Sequence, residues 1–164
     1  YLDFLKDMIK LKYPEAAVKI LNMGVPGDTA EDGLRRVGEV IRKNPDLVMV
    51  QFALNDAFMG HTPDRFKKDI EAIIKRIKQD TAAGILLLTS VPVMHSPENK
   101  IAENFYNKIM ECGIEYNIPV VAVHEYWKMK VPGGIDILTL LQSDGVHPLE
   151  SGYKLMAEAV MEIL

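Results

Sequence analysis

An aspartate and a histidine stand three positions apart in the stretch Ser-Asp-Gly-Val-His-Pro, residues 143–148, called the acid–base segment below. A carboxylate that is hydrogen-bonded to one ring nitrogen of a histidine fixes the tautomer and orientation of the imidazole. The other ring nitrogen can then take a proton from a nucleophile. Asp144 and His147 are therefore candidates for the acid and base of a catalytic triad. The alternative is structural: the aspartate caps the turn before a helix, and the histidine is its partner.

The chain has no obvious nucleophile to complete a triad. Thr29 has a hydroxyl in a glycine-rich loop, but we interpret it as the cap of the following helix. Cys112 is the only cysteine, and we expect a buried, apolar thiol. The candidate serines lie at a strand end or in loops without an activating signature such as Gly-x-Ser-x-Gly; they are Ser90, Ser96 and Ser143.

The elements that must position these groups alternate between strand and helix. Helices are predicted over residues 1–12, from Thr29 to about Asn44, and over 63–80, 97–117 and 149–163; strands are predicted over 17–21, 47–52, 84–89 and 119–123. This alternation implies right-handed crossovers and a central parallel sheet with helices on both faces. We therefore predict an α/β fold, a three-layer α/β/α sandwich of the flavodoxin-like type.

Ligands of such sheets bind at the carboxyl ends of the strands. The glycine loop, residues 22–29 (Asn-Met-Gly-Val-Pro-Gly-Asp-Thr), follows the first predicted strand, and the asparagine loop, residues 53–56 (Ala-Leu-Asn-Asp), follows the second. With the acid–base segment before the last helix, three polar segments are expected on one edge of the sheet. We predict that Asp56 organises its loop through local hydrogen bonds rather than reacting.

The three segments resemble, in order and rough spacing, the second, third and fifth conserved blocks of the SGNH hydrolases, also called GDSL-type esterases and lipases. The resemblance spans nearly the whole chain and implies the SGNH hydrolase fold and a serine-type acyl ester hydrolase. It gives Asp144 and His147 the roles of triad acid and base. It makes the backbone N–H of Gly27 and the side-chain amide of Asn55 the oxyanion-hole donors.

The resemblance implies a small-molecule ester as the binding partner, and neither a metal nor an organic cofactor. The esters of the family include short-chain esters, acetylated sugars, lysophospholipids and thioesters. The sequence does not choose among them, although the lack of an apolar, lid-like insertion favours a small, soluble ester. The oligomeric state stays open.

Two departures from the family pattern stand out. Ala53 occupies a position where the third block usually has glycine. The first block, a Gly-Asp-Ser whose serine is the nucleophile, is missing from this chain. Because Tyr1 begins within a predicted helix, we expect residues 1–164 to be a single domain that is incomplete at its N-terminus and lacks its first strand. The absence of a signal peptide is then uninformative, and the cytoplasm is only slightly favoured.

Two other functions stay open at the level of sequence. A catalytically dead SGNH pseudoenzyme would keep the fold and bind an ester or a partner without turnover. A flavodoxin-like module would cradle an anion on residues 24–29 at a helix N-terminus. The second hypothesis leaves Asp144 and His147 unexplained, and the loop lacks both the lysine of a P-loop and the third glycine of a dinucleotide fingerprint.

Composition excludes several classes of function. The chain has 164 residues, 48% of them hydrophobic and 26% charged, which is ordinary for a globular protein with a full core. The net charge is -4 and the 19 basic residues are scattered, so no nucleic-acid partner is expected. The sequence contains no run that predicts a transmembrane segment and no cysteine and histidine cluster with metal-ligand spacing. His95 and His124 follow predicted strands and could contact a substrate.

Overall fold

A computed structural model describes residues 1–130 and 136–164, apart from the side chains of Ser96 and Leu138. The helices are α1 (Leu2–Lys12), α2 (Ala30–Ile41), α3 (Leu54–Phe58), α4 (Pro63–Asp80), α5 (Ser96–Tyr116), α6 (Val123–Lys130) and α7 (Glu150–Met161), with a 3-10 helix at Ile137–Thr139. The strands are β1 (Leu47–Gln51), β2 (Gly84–Leu88) and β3 (Val120–Val121).

The strands form a parallel sheet in the order β1-β2-β3. β1 pairs with β2 from Leu47 opposite Gly84 to Gln51 opposite Leu88. β3 pairs with the end of β2, with Val121 opposite Leu88. The middle strand β2 is buried from its second residue onward, which explains its continuous run of apolar side chains.

Alternate strand residues supply two hydrophobic clusters, one on each face of the sheet. Val48, Val50, Ile85 and Leu87 pack with side chains of α2, α4 and α5. Leu86, Leu88 and Val121 pack with side chains of α1, α6 and α7. The predicted three-layer α/β/α sandwich is confirmed.

Local sequence explains where the helices flanking the site begin. Thr29 caps α2 in a capping box with Asp32, whose carboxylate accepts the N–H of Thr29 at 3.0 Å. Hydrogen bonds from Thr29 lower the pKa of Asp32. Thr62 caps α4 and Pro63 occupies its first turn. The interpretation of Thr29 as a cap is confirmed.

The structure differs from the predictions at two places. Residues 17–21 form no strand, because a strand requires a hydrogen-bonded neighbour and no backbone bond joins this segment to another strand among the described residues. The strand predicted over 119–123 is only two residues long. It ends there because α6 begins at Val123 and extends to Lys130, where no helix was predicted.

Candidate active site

The acid–base segment brings its aspartate and histidine into direct contact. Asp144 Oδ2 lies 2.8 Å from His147 Nδ1. The other carboxylate oxygen, Oδ1, accepts the backbone N–H groups of Val146 at 2.9 Å and His147 at 3.0 Å. These three hydrogen bonds lower the pKa of Asp144 to about 2, with the bond from the His147 backbone contributing most. The carboxylate is therefore ionised at neutral pH and holds the imidazole by Nδ1.

The pair is open to solvent on a rigid turn. The side chain of His147 is 67% exposed, and no described residue forms a hydrogen bond with its Nε2. Gly145 has φ +70°, and a Cβ at this position would lie 2.9 Å from the Cβ of Met94. The backbone N–H of Met94 donates to the carbonyl of Gly145 at 2.9 Å. The loop after β2 thus holds this turn at the carboxyl edge of the sheet.

In the glycine loop, Gly27 is exposed with φ +86° and with nothing within 4 Å of an added Cβ. Glycine is therefore favoured here by its backbone conformation rather than by lack of space. The N–H of Gly27 has no acceptor among the described residues, so it can donate to a ligand. Arg36 of α2 braces the loop by an ion pair from its Nε to Asp28 Oδ2 at 2.5 Å and by a hydrogen bond to the carbonyl of Met23.

The asparagine loop is tied directly to the glycine loop. Asn55 Nδ2 donates to the carbonyl of Asp28 at 2.9 Å. A primary amide has two N–H groups, so one orients the side chain and the second can donate to a ligand. Ala53, which opens this loop, is buried with φ +141° and ψ -48°. That conformation normally belongs to glycine, so the alanine is held under backbone strain.

Asp56 is buried, and its partners are not local. Both of its carboxylate oxygens accept the backbone N–H of Ala30 at 3.1 Å, across 26 residues of chain. His61 Nδ1 lies 3.3 Å from Asp56 Oδ1. Burial raises the pKa of Asp56, and the bonds from Ala30 and His61 partly oppose that rise. The prediction that Asp56 forms only local hydrogen bonds is therefore wrong, because its main contact joins the asparagine loop to the start of α2.

Core packing anchors the three segments to one edge of the sheet. Val146, between the paired aspartate and histidine, packs against the cluster that contains Ala53 and Val93. The side chain of Gln51, at the end of β1, donates to the carbonyl of Thr89 at 3.2 Å, just after β2. The asparagine loop thus follows the carboxyl end of β1, and the acid–base segment is bonded to the loop that follows β2. The glycine loop joins the same edge through the bond from Asn55 to Asp28. This is the edge at which a parallel sheet is expected to bind ligands.

The other candidate groups have different environments. The histidine of α6, His124, is buried, with Nδ1 2.8 Å from Thr89 Oγ1 and Nε2 3.1 Å from Glu125. Burial lowers the pKa of His124. His95 is exposed, and its Nε2 lies 3.5 Å from where a Cβ on Gly145 would stand.

No nucleophile meets the acid–base segment within the described residues. None of their hydroxyl groups forms a hydrogen bond with His147. Cys112 is buried as predicted, and burial raises the pKa of its thiol to about 11, which makes it unreactive. The same residues contain no group of three or more candidate metal ligands and no helix that is long and apolar enough to span a membrane.

Two contributors to this site went unpredicted. Arg36 has only a weak sequence signal, because its place on the first turns of α2 does not reveal which loop it braces. The contact between Asp56 and Ala30 has no sequence signal, since 26 residues separate them and neither residue type requires the other.

The model of the GDSL-like lipase/acylhydrolase family matches residues 1–155. The chain belongs to this family. Its reaction class is the hydrolysis of carboxylic ester bonds. An acetylxylan esterase of Geobacillus stearothermophilus is 24% identical in an alignment that covers 98% of this chain and 78% of the relative. The family match favours an ester hydrolase over an anion-binding module.

Solved structures agree with the fold. The acetylxylan esterase Axe2 of Geobacillus stearothermophilus superposes with a TM-score of 0.88 at 22% identity, covering 99% of this chain and 79% of that one. LAE5, an α/β hydrolase from the metagenome of Lake Arreo, has the same TM-score and coverages at 18% identity. Catalytic mutants of Axe2 carry substitutions of a serine, an aspartate and a histidine, the last two three positions apart.

Proposed function

We propose that this protein is a serine-type ester hydrolase in which His147, oriented by Asp144, deprotonates a serine that lies upstream of Tyr1. The observation that carries the proposal is the 2.8 Å contact between Asp144 and Nδ1 of His147, which leaves Nε2 open. That geometry suits a general base, because the engaged nitrogen fixes the tautomer and the open one faces the nucleophile.

The reaction then follows the acyl-transfer scheme. The serine Oγ attacks the ester carbonyl while its proton passes to Nε2 of His147. Collapse of the tetrahedral intermediate breaks the bond to the alcohol, which leaves with the proton from His147. Water, deprotonated by the same imidazole, hydrolyses the acyl-enzyme and releases the acid. The ionised Asp144 stabilises the imidazolium that forms in both halves of the reaction.

The oxyanion of each intermediate is proposed to bind between the N–H of Gly27 and the free N–H of Asn55 Nδ2. Support comes from the unused backbone donor of Gly27 and from the bond between Asn55 and Asp28, which holds the amide beside the glycine loop. Both donors are neutral, so they stabilise a developing negative charge without binding the acid product tightly.

The unpaired edge of β1 supports the placement of the serine on an additional strand. One edge of β1 pairs with β2, and no described residue bonds the backbone of the other edge. Apolar side chains are exposed both at the start of β1 and in the unpaired segment 17–21: Leu47 is 40% exposed, Val18 37% and Leu21 46%. A parallel strand on that edge would end beside the asparagine loop, next to the proposed oxyanion donors.

For the substrate, we propose a small ester, with acetylated carbohydrates as the first class to test. The name of the similar acetylxylan esterase supports this choice.

The test combines intact mass with hydrolysis of p-nitrophenyl acetate and of acetylated xylo-oligosaccharides by the natural protein with its own N-terminus. A fluorophosphonate should label one serine and abolish activity. His147→Ala should lower kcat by about a million-fold, the order seen when a triad histidine is removed. The matched control is His95→Ala, which removes an exposed histidine beside the same turn and should keep most of the activity.

The pseudoenzyme hypothesis predicts a different result. A natural protein of mass near 18.4 kDa that neither labels nor hydrolyses either ester would overturn the proposed mechanism. Equal losses for His147→Ala and His95→Ala would remove the general-base role of His147.

A further inference from the structure

Asp56 occupies an environment that a carboxylate enters only with compensation. Its side chain is fully buried, and burying an ionised carboxylate is costly unless hydrogen bonds or charges offset the loss of water. Here the compensation comes from the Ala30 N–H, shared by both oxygens, and from His61. Ala30 is the first residue of α2, so the carboxylate also meets the positive end of that helix.

The position of this contact in the chain matters more than its strength. Ala30 follows the glycine loop directly, and Asp56 is the residue after Asn55. The bond from Asn55 Nδ2 to the carbonyl of Asp28 joins the same two loops from the other side. Two contacts, across 26 and 27 residues, therefore fix how the two loops lie relative to each other.

The contacts made by Asn55 and Asp56 have different functions in the proposed mechanism. Asn55 must keep one N–H free for the oxyanion, so a single bond to Asp28 orients its side chain. Asp56 has no role in the proposed chemistry, and both of its carboxylate oxygens are available to hold the Ala30 N–H at the start of α2. Oxyanion donors act only within about 2.7–3.1 Å of the developing charge, so small displacements of either loop are costly.

We propose that Asp56 is a positioning residue for the oxyanion hole: its buried carboxylate locks the asparagine loop onto the start of α2 and so sets the spacing between the N–H of Gly27 and the amide of Asn55. His61, which follows α3, contacts the carboxylate through Oδ1, one of the two oxygens that accept the Ala30 N–H. This inference rests on the proposed function, because it assigns Asp56 to the oxyanion donors named there.

The test compares Asp56→Ala and Asp56→Asn in the natural protein. Asp56→Ala should lower kcat about 100-fold with KM nearly unchanged, since misplacement near 1 Å has an effect of this order. Asp56→Asn keeps one oxygen to accept the Ala30 N–H and should recover at least a tenth of the lost rate. A residue that only supports the fold would also lower the apparent kcat at constant KM, by reducing the fraction of active enzyme. Active sites are therefore counted by fluorophosphonate labelling, and the loss of about 100-fold is expected in kcat per labelled site; a normal kcat per labelled site would overturn the proposal.

Asp69→Asn is the matched control. Asp69 of α4 also has a buried carboxylate oxygen, which no described residue hydrogen-bonds. Burial raises the pKa of Asp69. The charge of Asp69 interacts with His61, as the charge of Asp56 does. Among the described residues, however, Asp69 forms no hydrogen bond with the glycine loop or the asparagine loop. This variant should retain the kcat of the parent protein.

NMR spectroscopy tests the positioning role of Asp56 without requiring catalytic activity, so it tests this inference separately from the proposed function. In NMR spectra, Asp56→Ala should shift the Gly27 amide and the Asn55 side-chain amide, and Asp69→Asn should leave both in place. If the parent protein is inactive, these shifts still decide the positioning role. Unchanged signals in folded Asp56→Asn and Asp56→Ala, or equal changes with Asp69→Asn, would overturn it.

Discussion

Asp144 and His147 meet through hydrogen bonds between residues no more than three positions apart, whereas the loops of Gly27 and Asn55 meet through bonds across 26 and 27 residues. The first arrangement needs only one turn with the right residues. The second needs α2 and β1 to be packed correctly before either donor is in place. The two halves of the proposed active site therefore depend on the fold to different degrees.

The same two regions also differ in their exposure to solvent. The carboxylate of Asp144 is 47% exposed and accepts three hydrogen bonds, which lower its pKa to about 2. The carboxylate of Asp56 is fully buried, and burial raises its pKa despite its own hydrogen bonds. Two aspartates of one site thus shift in opposite directions, because hydrogen bonding dominates at one and loss of water at the other.

Within the long-range half, the largest expected effect comes from Asn55. Asn55→Ala removes one proposed oxyanion donor together with the tie to Asp28, and it should lower kcat by about 100- to 1000-fold. Steady-state hydrolysis of p-nitrophenyl acetate measures it. Asn107→Ala, an exposed asparagine on α5, is the control and should be neutral. A loss below tenfold for Asn55→Ala would mean that this amide is not an oxyanion donor.

An intermediate effect is the opposite titration of the two aspartates, measured by NMR of their carboxyl carbons. The folded state binds the Asp144 proton more weakly than the unfolded chain does. The resulting stabilisation is present above pH 3.8 and is lost as the pH falls towards about 2. For Asp56 the folded state binds the proton more tightly, so the stabilisation is present below 3.8 and is lost as the pH rises through the raised pKa. If both carboxyl groups titrated over the same pH range, the predicted opposite shifts of their pKa values would be wrong.

The smallest effect concerns the strained start of the asparagine loop. In Ala53→Gly, relief of about 1–3 kcal/mol of backbone strain opposes the loss of a buried methyl group, about 0.8 kcal/mol, and the greater freedom of unfolded glycine, about 0.4–1 kcal/mol. The free energy of unfolding should therefore change by between a loss of about 0.8 kcal/mol and a gain of about 1.8 kcal/mol. Ala102→Gly, at a buried position in α5, has no strain to relieve and should lose about 2 kcal/mol. Urea unfolding compares them; equal losses would argue against strain at Ala53.

The helices were the easiest elements to predict. Pro63 after a threonine cap and a run of apolar side chains at helical spacing predicted α4 with its observed bounds. The segment 17–21 has an apolar composition typical of a strand, but composition cannot supply the neighbour that a strand needs. Similarly, α6 begins where the pattern predicted that β3 would continue, because apolar residues at this point suit a strand or a buried helix equally well.

The sequence alone determined the α/β class, the family and the contact between Asp144 and His147, because helix caps, apolar periodicity and a three-residue spacing act over short stretches of chain. Only the tertiary structure decided that Asp56 holds the start of α2, that Ala53 is strained and that His124 is buried. Each of these depends on which distant backbone group comes to lie beside the side chain. That choice follows from the packing of whole helices on the sheet, which no short stretch of sequence contains.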